Sequence, residues 1–110
     1  MPKYVTLFSY TNRSTKAMVD SPTDRYAAAK ALVESLGGTL EAFYWMHGAH
    51  DGLLICNLPD GVKAAALAAA AGSTGAVTGV ETHELFDPEQ QAEIVKIAKT
   101  ALAAYVPPTD

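Results

Sequence analysis

Residues 39–59, TLEAFYWMHGAHDGLLICNLP, read as two apolar strands facing each other across a polar turn, His47-Gly48-Ala49-His50-Asp51. The spacing predicts strands from about Thr39 to Met46 and from about Gly52 to Leu58, paired antiparallel through the turn at Gly48. This hairpin holds the only Trp, the only Cys and two of the three His, so core and chemistry are both concentrated in it.

Upstream, Tyr4 to Thr11 is rich in β-branched and aromatic residues. Tyr4, Thr6, Phe8 and Tyr10 alternate with Val5, Leu7 and Ser9, so both faces of that strand carry apolar groups. Asn12 to Asp20 is polar and reads as a short helical turn. Ser21 as N-cap and Pro22 at the first helical position open a helix. In it Tyr26, Ala29, Leu32, Val33 and Leu36 share one face, Arg25, Lys30 and Glu34 take the other, and Gly37-Gly38 ends it.

Downstream, Asp60 caps a helix from Gly61 to about Ala71, whose run of alanines combines high helix propensity with little bulk. Gly72-Ser73-Thr74-Gly75 breaks it and lacks the Lys of a phosphate-binding loop. Ala76 to Phe86 returns to a strand pattern, with Gly79 as a bulge site. Asp87-Pro88-Glu89-Gln90 reads as a capping box with Pro at N1. The last helix sets Ile94, Ile97, Ala98, Ala101, Leu102 and Tyr105 on an inward stripe. Pro107-Pro108 stops it, and residues 106–110 are expected to be a loose tail.

The resulting order, β-α-β-β-α-β with an extra C-terminal helix, is the α+β signature of the ferredoxin-like fold, here one domain over 1–110 with 2–105 ordered. Two helices cover one face of such a sheet. Yet Tyr4, Phe8 and Tyr10 oppose Val5 and Leu7 on the first strand, and Leu40, Tyr44 and Met46 oppose Phe43 and Trp45 on the second. A second apolar face in so short a chain needs a partner. The expectation is a homo-oligomer, at least a dimer, packed sheet to sheet as a dimeric α+β barrel. The last helix then covers an edge or reaches the neighbour.

Composition narrows the partners. The net charge is −4 and the eight basic residues are scattered, so nucleic acid and anionic membrane surfaces are poor fits. No apolar run approaches the roughly 20 residues of a membrane span, and the N-terminal stretch has no secretory pattern, so a cytoplasmic location is expected. Cys56 stands alone in the run Leu53-Leu54-Ile55-Cys56 and reads as a small core residue.

Several segments carry a resemblance: Tyr4-Val5-Thr6-Leu7, Asp20-Ser21-Pro22, Leu36-Gly37-Gly38, Phe43-Tyr44-Trp45, Gly48-x-x-Asp51-Gly52, and Glu81-Thr82 through Phe86. Together, over about Pro2 to Tyr105, they resemble the GYD-domain family. The resemblance implies a ferredoxin-like architecture and leaves activity unassigned. The motif that names the family is Gly-x-Tyr-Asp at the hairpin turn, and here His50 holds the Tyr place.

The tip allows several readings. His47, His50 and Asp51 within five residues, with His83 on the fourth strand, are suitable donors for Zn²⁺ or another divalent ion, but no spacing fixes a site. His47 or His50 as general acid/base with Asp51 orienting it would make a cofactor-free small-molecule enzyme. In that reading Tyr4, Phe8, Tyr10, Tyr44 and Trp45 line an apolar cavity between sheets and bind a small apolar or aromatic molecule. In the third reading the two His are solvated and Asp51 bonds the turn's own backbone. His83 would then hydrogen-bond across the sheet or to a helix end. No pattern identifies a cofactor.

Overall fold

The structure, a computed structural model, describes residues 1–109. Its elements are β1 (Lys3–Tyr10), α1 (Asn12–Asp20), α2 (Arg25–Ser35), β2 (Thr39–Trp45), β3 (Gly52–Asn57), α3 (Gly61–Ser73), β4 (Val77–Leu85) and α4 (Pro88–Leu102). The strands form one antiparallel sheet in the order β2-β3-β1-β4, the ferredoxin-like arrangement.

Local chemistry explains where the elements start. The segment expected to be only a helical turn is a nine-residue helix, α1, because the Thr11 side chain accepts the Ser14 N–H and caps it. Ser21 does not cap the next helix as expected. It closes α1 by donating its N–H to the Ala17 carbonyl, and Asp24 caps α2 by accepting the Ala27 N–H at 2.9 Å. Asp60 caps α3, and Asp87 with Gln90 forms the reciprocal capping box of α4.

One face of the sheet is the core. Tyr4, Phe8, Leu54 and Cys56 are buried there against Val33 of α2, Leu58, and Ala64 and Leu67 of α3. Two bulges set which side chains reach it. In β2 the register shifts between Leu40 and Ala42, so Leu40 and Phe43 both pair with core-facing residues of β3, Cys56 and Leu54. Simple alternation had placed Leu40 and Phe43 on opposite faces; the bulge corrects that. In β4 the expected bulge lies at Gly79, whose φ of +61° suits glycine.

The other face carries Val5, Leu7, Leu53 and Ile55, all partly exposed, beside Tyr44, which is 65% exposed. Nothing among the described residues lies over them to bury them fully. The larger correction concerns α4. Its apolar stripe does not turn inward: every residue of the helix is exposed, including Ile94, Ile97 and Leu102. The arm stretches the molecule to 59 × 32 × 22 Å, with a radius of gyration of 17.6 Å. A compact chain of this size has a radius of about 13 Å. Residues 106–109 are exposed; Asp110, in the segment expected to be a tail, lies outside the described residues.

Candidate functional site

The loop from Met46 to Asp51 joins β2 to β3. Asp51 is spent on holding it: its Oδ2 accepts the Tyr10 backbone N–H at 2.9 Å, and its own N–H donates to the Phe8 carbonyl at 2.9 Å. Its carbonyl also accepts the Met46 N–H at 2.7 Å, which closes the loop. Gly48 adopts φ +121°, a backbone region that favours glycine. A Cβ on Gly52 would overlap the Phe8 ring, so that position accepts no side chain without repacking.

His50 extends from this loop across the end of β1 to β4. Its Nε2 stands 3.0 Å from Glu81 Oε2, and the other carboxylate oxygen stands 3.3 Å from His83 Nε2. One carboxylate therefore bridges two imidazoles on the open face of the sheet, beside Leu7, the cross-strand partner of Glu81. His50 Nδ1 is buried and has no hydrogen-bond partner. His47 is exposed, and no hydrogen bond joins any two of His47, His50 and Asp51. Among the described residues no group of three or more His, Cys, Asp or Glu side chains is arranged to hold a metal ion.

Glu81 is the residue that sequence reasoning did not connect to His50. Strand alternation does place it on one face with His83. The reach from the hairpin to β4 depends on β1 lying between β3 and β4, and spacing alone does not show that order.

The five aromatic residues read as one cavity wall divide between the two faces. Tyr10 and Trp45 stack with centroids 5.1 Å apart, and Phe8 meets Tyr10 edge-on at 5.5 Å, all on the helix side. Tyr4 is buried in the core with Phe8. Tyr44 stands on the open face, next to Leu53 across the strand pair.

Compared with known protein families, residues 4–95 match the GYD domain. This chain belongs to the GYD-domain family. Within that match, Gly48 and Asp51 shape the turn, and the His50 side chain turns toward Glu81. No curated protein matches the chain significantly. Among solved structures it is similar to TTHA0845 from Thermus thermophilus, at 16% identity and a TM-score of 0.45, over 79% of this chain and 95% of that one. No helix is long and apolar enough to cross a membrane among the described residues.

Proposed function

We propose that this GYD-domain chain is a self-associating, cytoplasmic binding module, non-catalytic at its hairpin tip, whose ligand is a small apolar or aromatic molecule. The observation that carries the reading is α4. A 15-residue helix is marginal in water without tertiary support, and this one exposes Ile94, Ile97 and Leu102 while its polar side carries Glu93, Lys96 and Lys99. Burying each such aliphatic side chain is worth about 1.5–3 kcal/mol. The open sheet face offers a matching surface in Val5, Leu7, Leu53, Ile55 and Tyr44. A second copy presents both surfaces, so sheet-to-sheet packing with α4 laid on the neighbour covers all of them.

Proton transfer at the tip draws less support. The Asp51 carboxylate is occupied by the backbone, and the free ring nitrogen of His50 is sealed from solvent. A general base needs its lone pair within reach of the substrate. The lone buried thiol of Cys56 suits a reducing compartment.

Backbone amide exchange along α4, measured at two protein concentrations, tests the reading. Protection of Ile94 to Leu102 that grows with concentration supports it. Exchange at unprotected rates at both concentrations removes it.

A further inference from the structure

The helix side of the sheet contains a cavity of about 170 Å³. Its origin is in the sequence. The helix α2 packs on edge strand β2 and α3 on edge strand β4, so the two straddle the central strands β3 and β1. Where they face the gap between them, both present methyl groups: Ala28 and Ala29 from α2, Ala68 and Ala71 from α3. Larger side chains at these positions would fill the space between the helices, and the alanines leave it open. The floor and walls are apolar: Phe8, Phe43, Leu32, Leu54 and Leu67. An apolar cavity of about 150 Å³ is large enough to take up a benzene ring.

The polar groups of the lining are few, and half of them are engaged. The Thr6 hydroxyl pairs with that of Thr82 at 3.1 Å, and the Thr74 hydroxyl donates to the Ala71 carbonyl at 2.8 Å. Two remain, Tyr10 and Arg25, and both also line the neighbouring hollow against α1. Arg25 is partly buried, and among the described residues no carboxylate pairs with its guanidinium. Asp24, next to it in sequence, caps α2, and Asp51, which like Arg25 acts on Tyr10, holds the Tyr10 N–H. Burial pushes the Tyr10 phenol up, against the opposing pull of Arg25, so it stays a neutral donor. Among the described residues no acidic side chain lines the cavity.

We propose that this cavity binds a small aromatic carboxylate of about one ring, with the ring between the alanine faces of α2 and α3 and the carboxylate paired to Arg25 beside the Tyr10 hydroxyl. An unpaired, half-buried guanidinium favours a planar carboxylate because it can donate two parallel N–H bonds to it. The volume suits a body of a single ring, and the lining gives that ring aromatic neighbours in Phe8 and Phe43. This names a ligand class for the binding-module reading and rests on the binding half of it alone.

Amide NMR of the full chain with phenylacetate as probe tests the assignment, with phenethylammonium and toluene as comparison probes. Phenylacetate is expected to shift the resonances of Ala28, Ala68 and Val80. Phenethylammonium, with the same ring and the opposite charge, is expected to bind at least about tenfold more weakly. Arg25→Met should lose at least about tenfold in phenylacetate affinity and keep toluene binding. Ala68→Leu, by filling the space, should abolish both. Unmoved cavity resonances with phenylacetate, or undiminished phenylacetate affinity in Arg25→Met, would overturn the proposal even if Ala68→Leu failed to fold. Light scattering on the same samples reads self-association separately, so either idea can fail without the other.

Discussion

Asp51 and Tyr10 are joined by a 2.9 Å hydrogen bond from the Tyr10 backbone N–H to the Asp51 carboxylate, which fixes the hairpin loop to the end of β1. Asp51 is therefore a structural clasp in this chain. Asp51→Ala leaves a part-buried N–H without its acceptor and should cost about 1–3 kcal/mol in urea unfolding. Asp51→Asn keeps a side-chain oxygen and should cost less. Equal stability of Asp51→Ala and the native chain would remove the clasp.

Glycines at two strand starts face opposite kinds of obstacle. A Cβ on Gly38 would run into the Asn57 carbonyl, which is backbone, whereas one on Gly52 would meet the Phe8 ring. Gly52→Ala should destabilise by about 1–3 kcal/mol through forced repacking, and Gly38→Ala by more, because a backbone strand cannot rotate away. Gly61→Ala, where the nearest atom is 4.0 Å off, serves as the neutral control. Thermal unfolding should show the largest loss for Gly38→Ala, a smaller one for Gly52→Ala and the least for Gly61→Ala.

Cys56 is fully buried, and burial pushes its thiol up. Thiolate is the reactive form, so a disulfide-exchange reagent should leave the native chain unmodified and label it promptly in denaturant. Rapid labelling of the folded protein would contradict its place in the core.

Glu41 accepts hydrogen bonds from Lys3 and Asn57, both at 2.8 Å, and these hold its carboxyl below the ordinary value of 4.5. A lowered folded-state pKa means that the folded state binds the proton less readily than the unfolded one. The stabilisation is therefore complete above pH 4.5 and is lost as pH falls through and below it. The stability gap between the native chain and Glu41→Gln should be constant near neutrality and close in acid. A gap independent of pH would show that the carboxylate charge has no part in it.

The sheet and the hairpin were legible because alternation and turn residues act locally: Tyr4 to Tyr10, the Gly48 turn and the Asp87 capping box fall where the pattern puts them. The bulge beside Glu41 was not legible, since nothing in Leu40-Glu41-Ala42 marks a register shift that cross-strand packing decides. The meeting of His50 with Glu81 was hidden for a similar reason, as it depends on strand order rather than on spacing. Arg25 reads on sequence as one more charge on a helix face, and only the alanine gap beside it gives it a cavity to face. The stripe on α4 is apolar at helical spacing, but periodicity does not tell that the helix stands away from its own sheet instead of turning inward.

Self-association through the open sheet face and α4 is the claim on which the functional reading turns. Light scattering of the full chain at micromolar concentration tests it most directly. The chain mass is 11.6 kDa, and the predicted result is twice that mass or a higher multiple, falling toward a single chain when Ile94 and Ile97 are both replaced by Glu. A native chain that scatters as a monomer would contradict it.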